Sequence, residues 1–330
     1  MNSVDSQRIH DAVDRLRAGD VLAFPTETVY GLGANARDDD AVSRVFSLKG
    51  RPANHPLIVH VANQEAAGQW ASAIPASARV LMARFWSGPL TLVLPARDEV
   101  SRLVTGGQDS VALRVPRHPV AKALLAAFGG GLAAPSANPF GRISPTDAGH
   151  VRGYFPGLTV LDGGPCSYGL ESTIVSLTDD RPLILRPGAL PLATLRQALD
   201  GMAIETADAS DPSPRVPGSL PAHYAPDTPL EIVPFDQMRI RATTLSAQGV
   251  RVAVLRHHRG PRQASLPLPQ FLMPAAPVAY GRRLYARLHE LDEIGFDRLL
   301  VEAPPRDEAW YAVNDRLARA AQAHSNGVES

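Results

Sequence analysis

Apolar and polar positions along the chain follow two spacings that alternate. A helical spacing predicts helices at residues 6–18, 40–48, 76–85, 119–128 and 146–154. Between them, short apolar runs predict strands at 21–24, 57–61, 90–94, 111–114 and 132–134, with two more near 172–177 and 183–185. Several links between successive strands are too short to hold a helix, so the expected sheet is mixed, not purely parallel. Residues 208–229 then carry six prolines, which fix φ repeatedly and remove amide donors, and this stretch is expected to be a linker. Beyond it lies a second pattern, with strands at 230–233, 250–255 and 298–302 and helices at 281–291 and 310–323. The expected organisation is an α/β domain over 1–207, a linker over 208–229 and a smaller α/β domain over 230–330, without an internal repeat.

Composition narrows this picture. The chain has 330 residues, 45% of them hydrophobic, enough to bury two cores. Its 33 Lys+Arg balance 33 Asp+Glu, so any attraction for a polyanion must come from local patches. One cysteine, Cys166, excludes an internal disulfide and a Cys-based zinc cluster, and fits a reducing compartment. No apolar run suits a signal peptide or a membrane span, and the expected location is cytoplasmic. Only two of the cations are lysines, Lys49 and Lys122. Lys49 stands two residues before Arg51, and a point charge beside a planar fork can hold different phosphate oxygens.

Five stretches carry candidate chemistry. PTETVYGLGANA, starting at Pro25, is rich in glycine and hydroxyls, and its amides can face a ligand at a strand's carboxyl end. Its G-x-G-x-x-A run sits too far past the strand for a dinucleotide fingerprint, and Lys49-Gly50-Arg51 occupies the place of the ribose-binding acid. An ordinary Gly-rich turn is the alternative. LKGRPANHPLIVHV sets Lys49 and Arg51 at the end of a helix, and Pro52 and Pro56 stiffen the loop into the next strand, which suits a polyphosphate. His55 and His60, an odd number of residues apart, make a poor metal pair. SVALRVPRHP puts Arg114 in an apolar strand, where a charge needs a partner or an anion such as a carboxylate; a surface Arg on an edge strand is the alternative. APSANPFGRISPT gathers Ser136, Asn138, Arg142, Ser144 and Thr146 before a helix, with Ser144 or Thr146 as the expected N-cap and the helix start as a phosphate site, or merely a capped turn. ESTIVSL and LILRPGAL add Ser172, Thr173 and Arg186. No nucleophile elbow, Cys/His pair or spaced carboxylate pair occurs in these stretches, so positioning, charge and metal are expected to carry the chemistry. Nine arginines and no acid lie in residues 237–289, including Arg256, His257, His258 and Arg259 in a row, a basic face for RNA or a triphosphate, or a solvated surface.

In this order the motifs resemble the YrdC-type threonylcarbamoyl-AMP synthases, in the long form with an additional C-terminal domain, and the likeness runs through the linker ending HYAP. That linker departs from the S-P-G-M wording of many long forms. The resemblance implies a twisted mixed-sheet catalytic domain around a large concave pocket and a Rossmann-like C-terminal domain. It implies that L-threonine, bicarbonate and ATP give threonylcarbamoyl-AMP, pyrophosphate and water, the product going to a threonylcarbamoyl transferase that modifies the tRNA adenosine beside the anticodon. By the same resemblance Thr28, His60, Arg114, Ala134 and Ser172 would hold threonine. Arg51, His55, Ser110, Ser136, Ser144, Arg186 and Tyr224 would hold ATP, with Lys49 and Arg51 as the catalytic cations. Mg²⁺ would be held mainly by the ATP phosphates, without protein ligands, and the linker would cover the pocket as a flap. Replacing Lys49 or Arg51 by Ala is expected to abolish turnover and leave stability nearly unchanged. Two other classes compete: a nucleic-acid-binding module, with RNA as a weak partner, and the carbamoyl-transfer module of hydrogenase maturation, whose Cys-rich zinc motifs this chain lacks.

Overall fold

The computed structural model describes residues 3–179, 181–200, 203–207, 213–257 and 268–325. The chain forms two compact units, Met1–Phe140 with Pro145–Ser219, and Gly141–Ser144 with Leu220–Ser330. The division falls inside the proline-rich stretch, and a four-residue loop of the first half of the sequence belongs to the second unit.

The first unit runs α1 (Ser3–Arg17), β1 (Leu22–Phe24), β2 (Gly31–Asn35), α2 (Asp39–Lys49), β3 (Ile58–His60), α3 (Ala76–Phe85), β4 (Leu90–Pro95), α4 (Arg102–Thr105) and β5 (Ser110–Arg114). It continues with α5 (Pro119–Phe128), β6 (Leu132–Ala133), α6 (Ala148–Tyr154), β7 (Thr173–Ser176), β8 (Leu183–Arg186), α7 (Leu192–Ala198) and β9 (Glu205–Thr206). The strands make one sheet in the order β1-β2-β6-β3-β5-β4-β7-β8-β9. Both pairings occur in it: β3 is parallel to β5 and β4 to β7, whereas β4 and β5 are antiparallel. The short links predicted that mixture.

Side-chain alternation divides this sheet into a structural face and a working face. Val59, Leu92, Leu113 and Val175 join the main core with residues of α2, α3 and α7. Their neighbours Ile58, Val93, Ala112 and Ile174 point the other way and pack with Val216. His60, Thr91, Ser110 and Arg114 have the parity of that second face. Period-two geometry thus brings these four polar side chains to one side of the sheet.

Two expectations are corrected. The Gly31–Asn35 run is a strand, not an amide-lined turn: Leu22, Ala23 and Phe24 pair with Gly33, Leu32 and Gly31. A Cβ on Gly33 would meet the Phe24 ring at 2.7 Å, so glycine lets β2 cross that ring. Its amides serve the fold, and the turn before it, Thr26 to Tyr30, is itself buried. The second correction concerns α6, which Asp147 caps by accepting from Gly149 N, not Ser144 or Thr146. A carboxylate of the chain itself closes that helix start.

The second unit holds β10 (Leu230–Val233), α8 (Phe235–Ala247), β11 (Val252–Arg256), β12 (Gln270–Leu272), α9 (Pro277–Ile294), β13 (Arg298–Glu302) and α10 (Tyr311–Ser325). Its four strands are parallel in the order β10-β13-β11-β12. Neither α8 nor β12 was legible in the sequence. α8 buries only Met238, Ala242 and Leu245, while Ile240 on the same helix is 70% exposed, which blurs its period.

Candidate functional site

The working face of the first sheet carries a closed network around Arg114. The parallel register sets His60 of β3 beside Arg114 of β5. The Arg114 guanidinium donates from Nη2 to Glu27 Oε1 at 2.8 Å, from Nη1 to Thr28 Oγ1 at 2.9 Å and from Nε to Gly88 O at 3.3 Å. Both side chains of the Glu27–Arg114 pair are only 4% exposed. Arg117 N donates to the second Glu27 oxygen at 2.9 Å. Burial alone would raise the Glu27 carboxyl, but the Arg114 charge and its hydrogen bond override that and hold it below the ordinary carboxylate range. Burial, then the Arg114 charge, push His60 down to about 3, so the imidazole is neutral at physiological pH. Its Nδ1 is buried without a hydrogen-bond partner, and the Phe24 ring meets it edge-on at 5.9 Å. Ala134 follows β6 and is tied to β3 through its amide, which donates to Ile58 O at 2.9 Å.

Ser172, at the start of β7, lies against the same support. Gly88 N donates to Val115 O and Thr173 N to Pro89 O, so residues 88–89 link the ends of β5 and β7. The Ser172 hydroxyl is 2.7 Å from that of Thr91. Arg186, beside it on the antiparallel strand β8, donates from Nη2 to Ser172 O at 2.8 Å and to Ser172 Oγ at 3.1 Å, and from Nη1 to Pro217 O at 2.9 Å. The RPG turn after β8 passes so close that a Cβ on Gly188 would lie 2.5 Å from the backbone of Glu171, Ser172 and Thr173. Glycine there is a steric requirement of the Ser172–Arg186 contact.

A second group gathers around Lys49, the last residue of α2. Gly50, at φ 62, ends the helix in the left-handed region and turns the chain toward Arg51. Lys49 is buried, and its ammonium donates to Ser136 O at 2.6 Å and Asn138 O at 2.5 Å. Its carbonyl accepts from Phe140 N at 2.7 Å. Lys49 therefore holds residues 136–140 from beneath. Burial, then the Arg51 charge, push its pKa well below the ordinary lysine value, while the two short bonds favour the charged form. Arg51 donates to Pro56 O at 2.9 Å, and its guanidinium lies 5.5 Å from the Phe140 ring. The half-buried His55 meets that ring edge-on at 5.4 Å. Burial, then Arg51 and Arg215, lower its pKa. Ser110 is buried at the start of β5, and the half-buried Ser136 forms an isolated bridge with Gly31. The stretch from Ala134 to Asn138 is shared by the Arg114 and Lys49 groups.

Several members were missed in the sequence. Glu27 was within a motif already singled out; the signal was a carboxylate in a Pro- and Thr-rich turn available to an inward arginine. Thr91 and the Gly88 carbonyl gave no local signal. Arg215 lay in the expected linker, yet its guanidinium donates to Gly106 O at 2.9 Å, and it exchanges backbone bonds with the Gln108 amide. Gly106 itself abuts the Asn54–Pro56 backbone. Ser144 and Tyr224 belong to the second unit. There Ser144 O lies 3.4 Å from His289 Nε2, and Tyr224 stacks with Tyr285. Among the described arginines of 237–289, Arg241 binds Glu231, Arg283 and Arg287 bind Glu290, and Arg256 binds Gln270. His258 and Arg259 lie outside the described residues.

Comparisons with known proteins decide the family. Residues 14–188 match the Sua5/YciO/YrdC family model, described as telomere recombination. Residues 190–322 match the model of the threonylcarbamoyl-AMP synthase C-terminal domain. The chain belongs to the threonylcarbamoyl-AMP synthase family. Its relatives include the threonylcarbamoyl-AMP synthase of Pyrococcus abyssi, 39% identical over 96% of this chain and 95% of that protein. That of Bacillus subtilis is 39% identical over 97% and 94%. Among solved structures, P. abyssi Sua5 complexed with L-threonine superposes with a TM-score of 0.87 at 38% identity, over 96% of this chain and 95% of that one. No helix among the described residues is long and apolar enough to cross a membrane.

Proposed function

We propose that the two groups of the first unit divide the reaction of this family, the Arg114 network taking L-threonine and the Lys49 group taking the ATP phosphates. As a threonylcarbamoyl-AMP synthase, the enzyme joins L-threonine, bicarbonate and ATP into threonylcarbamoyl-AMP with release of pyrophosphate and water. The observation that carries the assignment is the buried Arg114 fork. Three of its N–H groups serve Glu27, Thr28 and Gly88, which leaves two of the five for a substrate carboxylate. The P. abyssi Sua5 complex with L-threonine supports the same choice of substrate.

In this reading the carboxylate of threonine sits on Arg114, oriented by Glu27. Thr28, Ala134 and Ser172 bound the same space. His60, neutral, offers Nδ1 to a substrate hydroxyl or amine without adding a charge. The threonine amine attacks bicarbonate, forming the N–C bond of a carbamate and losing water. A carbamate oxygen then attacks the α-phosphorus and pyrophosphate leaves with the P–O electron pair. Charge on the phosphate oxygens is met by Lys49, whose third N–H remains after its two carbonyl bonds, and by Arg51, Arg186 and Arg215, with His55, Ser110 and Ser136 as further donors. Buried cations already fixed by carbonyls need little reorganisation when the charge develops.

No cluster of His, Cys, Asp or Glu among the described residues suits a metal ion, and Glu27 is engaged by Arg114 and Arg117. Mg²⁺ is accordingly proposed to arrive as part of the nucleotide substrate. A cytoplasmic location and delivery of the product to a threonylcarbamoyl transferase acting on tRNA belong to the same proposal. The test is pyrophosphate release with MgATP, leaving out threonine or bicarbonate in turn: release that needs both supports the assignment, and release that does not need both ends it.

A further inference from the structure

The second unit holds one short segment in an unusual shape. Tyr224 has φ 60, a left-handed conformation that a residue with a Cβ avoids, and Asp200 is the other described non-glycine residue with positive φ. Its ring is 1% exposed. The Arg316 guanidinium of α10 sits 4.8 Å from that ring's centroid, and Tyr285 of α9 stacks with it at 5.9 Å and 27°. His223 packs edge-on against the same ring at 4.1 Å. The Arg316 side chain is fully buried, an expensive place for a cation.

The backbone on either side of Tyr224 is tied down as well. His223 N donates to Arg319 O at 3.3 Å and Ala225 N to Gly141 O at 2.9 Å. Asp227 N and Thr228 N donate to the two carboxylate oxygens of Asp292 at 2.8 and 2.9 Å, and Arg142 pairs with Asp227. On α10, Asp315 accepts from Arg316 Nη1 at 2.5 Å and from Arg319 Nε at 2.9 Å, and Arg319 donates to Leu220 O. Helices α9 and α10 thus form a mould for residues 220–228, with Arg316 under the strained residue.

We propose that Arg316 is a positioning residue of the synthase: it holds the Tyr224 ring by a desolvated cation–π contact and so keeps Tyr224 in its left-handed conformation, with His223 packed against the ring. The buried ion pair itself contributes little net stability over an apolar side chain of similar volume, and Asp315 retains Arg319 when Arg316 is removed. Orientation is what the guanidinium supplies. The proposal rests on the expectation, carried by the resemblance, that Tyr224 takes part in the ATP step. A solved structure of P. abyssi Sua5 carries alanine in place of adjacent His and Tyr residues and has a TM-score of 0.87 to this chain at 37% identity.

The test uses full-length Arg316→Met and Arg316→Lys without substrates. Hydrogen exchange of residues 220–228 is expected to rise about tenfold in Arg316→Met and less in Arg316→Lys, with the melting temperature little changed. Pyrophosphate release should follow the same order, kcat/KM for ATP falling about tenfold in Arg316→Met with the KM for threonine unchanged. Unchanged exchange in 220–228 overturns the proposal. Raised exchange with unchanged turnover overturns the use of Tyr224 in the ATP step, since the seat would then be real and the reaction indifferent to it. Should Arg316→Met fail to fold, Tyr224→Leu removes the ring that the guanidinium holds; parental exchange of residues 220–228 in that variant overturns the proposal.

Discussion

Arg114, on the central strand β5, and Lys49, the last residue of α2, are both buried cations of the first unit, yet the chain stabilises them by different means. Arg114 has a carboxylate partner, Glu27, buried with it. Lys49 has two carbonyl oxygens and a repelling neighbour, so only dipoles favour its charged form, and the proposed phosphates would supply the missing counter-charge. A fixed charge suits a substrate carboxylate that must be oriented once. A charge held in tension suits phosphates whose negative charge grows during the reaction.

Breaking the Arg114 side should have the largest effect. Glu27→Gln leaves the guanidinium buried without its counter-charge, and a stability loss of about 3–5 kcal/mol is expected by denaturant unfolding. A loss under about 1 kcal/mol would mean that Arg114 reaches solvent. Lys49→Met keeps the stem but strips two buried carbonyls of their donor. It should cost about 1–3 kcal/mol and reduce pyrophosphate release at least about 100-fold. The sequence alone suggested that removing Lys49 would spare stability; its burial and carbonyl bonds revise that, and a variant as stable as the parent would restore the simpler view.

His60 sharpens the comparison through pH. Its folded pKa, about 3, lies below the unfolded value near 6.5, so between these limits the unfolded chain binds more protons. Stability is complete above pH ~6.5 and falls as the pH drops toward ~3, by up to roughly 1.4 kcal/mol per pH unit. Unfolding free energies between pH 6.5 and 4 should fall less steeply in His60→Asn; equal slopes would show that the ring protonates freely in the folded protein. Gly33→Ala should cost about 1–3 kcal/mol through the contact with Phe24. It separates the packing role of that glycine from a ligand-binding one, because turnover per folded molecule should be retained. The smallest effect belongs to the exposed Arg215: Arg215→Ala should raise the KM for ATP about three- to tenfold with the melting temperature unchanged, measured by initial rates.

The short links between strands foretold the mixed pairing, and a charge in an apolar strand marked Arg114 as needing a partner, whereas the site role of His60 came only from the resemblance. The glycines of GLGAN misled, since the ring that requires them, Phe24, is reached only through an antiparallel pairing. The Ser144/Thr146 cap failed for a smaller reason, as Asp147 competed from the next position. Glu27 escaped notice because its partner lies 87 residues away.

By itself the sequence determined the alternation of elements, the ordered motifs and the family they resemble, and four of the cations proposed for the site, Lys49, Arg51, Arg114 and Arg186, though not Arg215. Tertiary structure decided which of those cations is paired, which is held by carbonyls and which is exposed. Burial and long-range contact set a side chain's charge and reach, and neither is encoded by its neighbours along the chain. The same reason applies to Arg316: in the sequence it is one arginine among many on a helix, and only folding puts a tyrosine ring over it.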